Sequence, residues 1–413
     1  MGVVAPGAPD VPALLRLLQG GPSPIRHLPE HEALGFQCQI GGIAQAPAEA
    51  FGAYYDYLGL DKAGDFLLLA MAAGLEAWQS AGLPLPHPDS PADFDTGILI
   101  GSGFGGFDAV AARVVPLTDQ KRIPRLGGNA AALNMLSSPS ALLSAVLGTA
   151  NWHSGNSNAC CTGTDAAVEG YWRIRSGRAK RMLVGSTEGY SPYIWAQFDA
   201  VRAANSKYND RAQEASRPMS ASARGFVPSS GAGVLLLESL DSALERGAPI
   251  LAEVLGGQAN AGGQRQGGSM TFPNPEGVRR CIRETLECAG VEPSDIGLIS
   301  GHLTATKADP LEVASWREAF TRHFPAINAP KSIFGHALGG AGAVELVACA
   351  LQLRHRFLHA SRHCEDVHPD IASIIPAESI PHASRPAPEL HTLIKASFGF
   401  GDVNACLVMR AWE

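Results

Sequence analysis

The sequence predicts an α/β protein whose sheets are covered by helices on both faces, and three observations carry that reading. Short unbroken apolar runs, such as Ile98-Leu99-Ile100, Met182-Leu183-Val184 and Val234-Leu235-Leu236-Leu237, have the character of strands buried on both sides. Segments with helical apolar spacing alternate with them. Hydrophobic residues make up 46% of the 413 residues and charged residues 17%, which fits a large core under a lightly charged surface.

In chain order, Met1 to Gly7 reads like the loop after a strand, with the strand itself absent. Asp10 to Gly20 is a short helix with Asp10 as N-cap and Pro12 tolerated in its first turn. Asp61 to Ser80 is a longer helix with a broad stripe from Leu67 to Trp78. The strand Thr96 to Ile100 ends in Gly101-Ser102-Gly103-Phe104-Gly105-Gly106. That run does not complete a GxGxxGxV phosphate loop and lacks the downstream acid, so it reads as a tight turn. Strands follow at Lys180 to Gly185, Gly231 to Leu240 and Ile250 to Gly256. A similar order then returns. A helix spans Gly277 to Ala289, a strand spans Ile296 to Gly301, and a helix contains Glu312 and Trp316. Beyond the glycine-rich stretch Lys331 to Gly342, a helix runs to about Leu353. Ile371 to Ile375 and Leu393 to Ala396 are late strands. The repetition predicts two similar halves, 1–240 and 241–413.

A net charge of −7 and a pI near 6.0 give no general pull toward nucleic acid. No apolar run is long enough for a membrane helix, and no signal peptide is apparent. Eight cysteines without a CxxC pair argue against a zinc site or a disulfide framework, and fit reduced thiols in the cytoplasm.

The chemistry-bearing residues are few. Cys160 lies in Asn158-Ala159-Cys160-Cys161-Thr162-Gly163, where a polar stretch meets the start of a helix. Unpaired N–H groups there favour a thiolate and face an oxyanion. A lone cysteine is more often a packing residue, so this signal needs company. His302 follows an apolar strand at its C-terminal end, where open α/β sheets place their ligand sites. Thr304 and Thr306 alternate beyond it, able to offer two hydroxyls to an amide-rich ligand. His336 sits in Phe334-Gly335-His336-Ala337-Leu338-Gly339-Gly340-Ala341-Gly342, with Lys331 before it and Glu345, a partner for Lys331, after it. Ser397-Phe398-Gly399-Phe400-Gly401-Asp402 ends the last of these strands as an aromatic flap between glycines.

Together these segments resemble the condensing enzymes of fatty-acid and polyketide synthesis, the elongating β-ketoacyl-acyl-carrier-protein synthases. That family's Thr-Ala-Cys-Ala-Thr-Gly motif is matched by Asn158 to Gly163. Its His-Gly-Thr-x-Thr loop is matched by His302 to Thr306, and its Lys-Ser-x-x-Gly-His-x-x-Gly-Ala-Gly segment by Lys331 to Gly342. Its closing Ser-Phe-Gly-Phe-Gly-Gly-x-Asn is matched by Ser397 to Asn404. Ser216 to Met219, Arg224 to Val227, Gly231 to Gly233 and Arg246 to Ala248 are further matches, so the resemblance spans essentially the whole chain.

The resemblance implies a thiolase-like, duplicated α-β-α-β-α layered fold. It implies a decarboxylative Claisen condensation, with Cys160 carrying the acyl group and His302 and His336 supporting loss of CO2 from a malonyl-type extender. Lys331, paired with Glu345, organises the charge, and Glu312 is a further supporting residue. Phe400 gates the acyl pocket, and its N–H joins that of Cys160 in the oxyanion hole. Thr304 and Thr306 receive the phosphopantetheine arm of an acyl carrier protein. No metal and no tightly bound cofactor is implied. The stretch from Leu147 to Ser157 implies a two-fold interface with a twin or with a related ketosynthase-like subunit. Leu303, Lys307, Asp402, Asn158 and Cys161 depart from the family pattern and point to a specialised member. Two alternatives remain at this stage: an inert chain-length partner subunit, against which Cys160 argues, and a thiolase-like coenzyme A acyltransferase, whose second cysteine motif is missing around Cys406.

Overall fold

The computed structural model describes residues 1–52 and 54–413. Ten strands form two five-stranded sheets. The first sheet holds β1 (Gly2–Val4), β2 (Thr96–Gly101), β3 (His153–Ser154), β4 (Arg181–Glu188) and β5 (Gly231–Glu238). The second holds β6 (Ala252–Ala261), β7 (Leu298–Ser300), β8 (Ala326–Asn328), β9 (Thr392–Gly399) and β10 (Val403–Ala411). The first runs β1-β5-β4-β2-β3 and the second β6-β10-β9-β7-β8, so the spatial order repeats strand for strand. The directions repeat too. β2 is parallel to β3 and β4, and β5 is antiparallel to β4 and β1. Likewise β7 is parallel to β8 and β9, and β10 is antiparallel to β9 and β6.

Helix α1 (Val11–Leu18) is capped by Asp10, whose Oδ1 accepts the Ala13 N–H at 2.7 Å. Helix α2 (Asp65–Ser80) covers the outer face of the first sheet through Phe66, Leu67, Met71 and Leu75. Between the sheets lie α3 (Thr162–Arg175) and, further along the chain, α6 (Ala341–His355). The outer face of the second sheet is covered by α4 (Pro275–Ala289) and α5 (Asp309–Ala319), through Ile282, Trp316 and Phe320. The layers are therefore α-β-α-β-α, as expected. From Ala341 to Leu353 every residue of α6 is buried, as a helix enclosed on all sides must be. Close crossing of the central helices depends on glycine. A Cβ on Gly163 would meet the amide nitrogen of Ala343 at 2.3 Å, and one on Gly342 would meet that of Thr164 at 2.8 Å.

Three expectations need correction. Gly2–Val4 is itself a strand, paired antiparallel with β5, so the strand thought absent is present. Ile371 to Ile375 is not a strand. Pro369–Ala372 is a short helix, begun by proline and capped by the His368 side chain, and Ile371 is buried from its inner face. The helix expected from Asp61 begins at Asp65, after a separate 3₁₀ turn at Leu60–Lys62.

Candidate active site

Cys160, His302, Thr304, Thr306, Glu312, His336 and Phe400 line one cleft, and Lys331 and Glu345 lie buried rather than on its wall. A Cys160 sulfur and a ring nitrogen from each of His302 and His336 lie within 4.8 Å of one another. They sit in a cleft of about 1000 Å³ that also exposes Thr304, Thr306, Phe398 and Phe400.

Cys160 belongs to a 3₁₀ turn, Ala159–Cys161, that runs directly into α3. Ala159 is held at φ 47°, a strained conformation for a residue with a Cβ. Gly399 at the end of β9 passes against the turn, where a Cβ would stand 3.2 Å from the Cys160 nitrogen. That approach brings the Phe400 N–H close to the sulfur, where it favours the thiolate form. The resting group is nonetheless a thiol. Burial pushes it up to about 11 against the opposing pull of Lys331 and the Phe400 N–H. The helix start does not by itself produce the thiolate that the sequence suggested. Cys161 points away, with its Sγ 3.1 Å from the Ser397 carbonyl and 3.2 Å from that of Val403, and burial keeps it protonated.

Both imidazoles are neutral, held well below 6.5 by burial first and by the Lys331 charge second. Their tautomers follow from their partners. The Leu338 N–H donates to Nδ1 of His336 at 3.1 Å, which leaves Nε2 to carry the proton. The Lys331 ammonium donates to Nδ1 of His302 at 3.3 Å, with the same result. Two Nε2–H donors are thereby available to the cleft. Lys331 is fully buried and bonds Oε1 of Glu345 at 2.5 Å, so the expected Lys331–Glu345 pair exists.

The His302 loop is strung along two carboxylates of α5. Glu312 accepts the N–H of His302 at 2.7 Å and of Leu303 at 2.8 Å. Asp309, which sequence reasoning missed, accepts the N–H of Thr304 at 2.8 Å, of Ala305 at 3.0 Å and of Met219 at 2.9 Å. Burial raises both acids, Glu312 to about 7. The loop needs this grip because Leu303 and Ala305 have φ of 23° and 61°. The family's preference for glycine at the Leu303 position has its physical reason there. Thr304 and Thr306 place their hydroxyls 2.9 Å apart on the cleft wall. Phe400 tilts against Phe198, with ring centroids 6.0 Å apart.

One further acid, Glu188, escaped the sequence reading, and a second, Asp402, was read only as a departure from the family pattern. Glu188, buried at the end of β4, accepts the N–H groups of Gly103, Phe104 and Gly339 and the hydroxyl of Ser102. It ties the turn after β2 to the His336 segment. Asp402, where the family has glycine, adopts φ 61° and accepts the N–H of Asn274 at 2.7 Å and of Gln264 at 2.8 Å. Lys395, a lysine inside an otherwise apolar strand, also went unnoticed. An acid or base within a buried run was the available signal for Glu188 and Lys395.

Cys160, His302 and His336 have the spacing of a soft metal site. A buried ammonium on His302 opposes a cation, however, and suits chemistry that develops negative charge.

Comparison with known proteins decides the lineage. The beta-ketoacyl synthase N-terminal domain matches residues 1–243 and the corresponding C-terminal domain matches residues 251–365. The chain belongs to the beta-ketoacyl synthase family. It is 33% identical over 420 residues to the chloroplastic 3-oxoacyl-[acyl-carrier-protein] synthase I of Arabidopsis thaliana, covering 100% of this chain and 86% of that protein. It is 33% identical over 355 residues to 3-oxoacyl-[acyl-carrier-protein] synthase 1 of Escherichia coli K12, covering 84% and 82%. Among solved structures it resembles the ketosynthase of a type II polyketide synthase in complex with its acyl-carrier protein, AntDE:AntF. That likeness has a TM-score of 0.86 at 27% identity and covers 100% of this chain and 98% of that one. The ishigamide ketosynthase/chain length factor gives 0.84 at 26% identity, covering 100% and 99%. Among the described residues no helix is long and apolar enough to cross a membrane.

Proposed function

We propose that this chain catalyses decarboxylative condensation of an acyl thioester, held on Cys160, with a malonyl thioester on an acyl carrier protein. The single observation that carries the reading is the convergence of the Cys160 sulfur with two neutral imidazoles within 4.8 Å. In the first step the Cys160 sulfur attacks the acyl thioester carbonyl, the carbon–sulfur bond to the carrier breaks, and the proton lost by the Cys160 thiol ends on the departing carrier sulfur. The N–H groups of Cys160 and Phe400 bind the tetrahedral oxyanion. The malonyl arm then enters along Thr304 and Thr306, with Phe400 moving as the gate. Nε2–H donors of His302 and His336 bind its thioester oxygen. The C–C bond to the carboxylate breaks, CO2 leaves, and the electron pair remains as an enolate. Its carbon attacks the acyl carbonyl on Cys160, and collapse releases the 3-oxoacyl thioester and the Cys160 thiolate. Lys331 and Glu345 hold the charge of the site, and Glu312 holds the His302 backbone.

An acyl carrier protein is the partner this reading requires. Arg202, Arg224 and Lys307 at the cleft mouth supply positive charge for the phosphate of its arm. We further assign the halves to 1–240 and 241–413, with the nucleophile in the first and the histidines and Lys331 in the second. β3 is an edge strand, and Phe107, Val115, Ile123 and Met135 in the segment before it are exposed. These features support pairing through β3 with a second ketosynthase-type subunit, identical or related. Eight free cysteines support a reducing, cytoplasmic setting. The retained cysteine favours the catalytic subunit over the inert partner.

Incubation with malonyl-carrier protein and a ladder of acyl-carrier proteins tests the function. The expected result is CO2 release coupled to an acyl chain two carbons longer. Absence of coupled product across the ladder overturns the reading. Native mass separates dimer from monomer and, with a co-expressed relative, identical from related pairing.

A further inference from the structure

The strand that delivers Ser397 to Phe400 carries a second ammonium into the core. Lys395 on β9 has no exposed surface. Its Nζ lies 2.8 Å from Oε2 of Glu345. That contact is an ion pair without hydrogen-bond alignment, since Oε2 has no donor in line with it. The ammonium donates instead to the Ala396 carbonyl and, at 3.2 Å, to Oγ of Ser397. The other oxygen of Glu345 already holds Lys331 at 2.5 Å. Two buried ammoniums thus share one buried carboxylate, and an unbalanced buried charge is costly unless another group opposes it.

The surrounding groups narrow what can oppose it. Lys395 acts on Cys349 of α6, Cys161 before α3 and Cys406 of β10, three thiols that burial keeps protonated. It also acts on His302 and His336, both neutral, and on Lys331. Glu188 and Glu312 are committed to the backbone N–H groups of their own loops, and burial raises each to about 7. Negative charge that forms during the reaction arises at the Cys160 sulfur and the reacting atoms beside it, where Lys331 favours the thiolate and Glu345, shared with Lys395, opposes it.

We propose that Lys395 is a positioning residue for the condensation: it divides Glu345 between two ammoniums, and the surplus positive charge meets the Cys160 thiolate and the enolate. This rests on the condensing function above. While Cys160 rests as the thiol the surplus has no anion against it; it is met by the thiolate as the sulfur attacks, by the enolate once CO2 has left, and by the thiolate again when product leaves.

The test compares Lys395→Met, Glu345→Gln and the double variant in the full chain. Its main readout is the rate of Cys160 alkylation by iodoacetamide at pH 8, measured by peptide mass. Lys395→Met leaves a neutral Lys331–Glu345 pair, and alkylation slows about tenfold, one unit in the thiol midpoint. Glu345→Gln leaves two ammoniums, and alkylation quickens. The double variant, again with one unbalanced ammonium, returns to within about threefold of the parent. Condensation kcat falls about tenfold in Lys395→Met, with KM within about threefold. A merely structural role predicts the double variant to be the worst of the three. Alkylation of Lys395→Met at the parent rate, or a double variant no nearer the parent than Lys395→Met, overturns the proposal. Lys395→Gln is made in parallel as a second neutral replacement, and it decides the outcome where Lys395→Met does not fold. A parent that alkylates as expected but never condenses sinks the functional reading and leaves the charge comparison standing.

Discussion

The two halves of the molecule repeat one sheet order and use its equivalent positions differently. In the first half, the turn between the third strand and the central helix carries Cys160. In the second, the equivalent turn carries His336. The loop after the second strand is Ser102 to Phe104 in one half, gripped by Glu188, and His302 to Thr306 in the other, gripped by Glu312 and Asp309. Both grips use a buried carboxylate that accepts backbone N–H groups, and only the second holds residues at strained φ, Leu303 at 23° and Ala305 at 61°. The difference is chemical. The first half supplies a sulfur whose resting form is the thiol. The second supplies imidazoles and an ammonium that meet negative charge as it forms. Duplication places the loops at one end, and substitution divides the labour.

The largest expected effect separates the halves outright. Cys160→Ala lowers acyl loading by about 10⁴-fold or more, read by intact mass, while malonyl decarboxylation persists because its donors belong to the second half. Equal loading by variant and parent breaks the division. His302→Ala or His336→Ala inverts the pattern: decarboxylation falls about 10²- to 10³-fold, whereas alkylation of Cys160 survives. Glu312→Gln tests the grip, since an amide accepts one N–H and sets a donor against the other. It costs about 1–3 kcal/mol in chemical denaturation and lowers decarboxylation more than it lowers alkylation. Leu303→Gly weighs strain against packing. Relief at φ 23° returns about 1–3 kcal/mol, and loss of a fully buried leucine costs about 2–5. The variant is therefore expected to lose about 1–2 kcal/mol. A gain in stability would show that strain outweighs packing in that loop.

The smallest effect is a pH dependence. His302 and His336 lie well below 6.5 in the folded chain, so below pH 6.5 the unfolded chain binds protons that the native state refuses. Their contribution to stability is therefore lost as pH falls through that window. Glu188 and Glu312, raised from 4.5 to about 7, act with the opposite sign, and their penalty grows as pH rises toward 7. His336→Asn should recover about 1 kcal/mol between pH 7.5 and 5.5 relative to the parent. An unchanged pH slope would mean that His336 takes up its proton in the native state.

Much of this protein is fixed by the order of its residues. Apolar runs without polar interruption force strands covered on both faces, and glycines at 163 and 342 permit two helices to cross between sheets. The Cys160, His302, Lys331, His336 and Phe400 segments are legible because each lies at a strand end or a helix start, where local pattern alone marks a loop. The N-terminal strand was not legible, since three residues carry no period and only pairing with β5 defines it. Ile371 to Ile375 misled because an apolar run looks alike on a strand and on the buried side of a short proline-initiated helix. Tertiary structure alone decided the charge of the site. The sharing of Glu345 by Lys331 and Lys395, the protonated resting sulfur and the neutral imidazoles all arise from burial and close approach of distant segments. Those are properties of the packed interior, and no local stretch of sequence contains them.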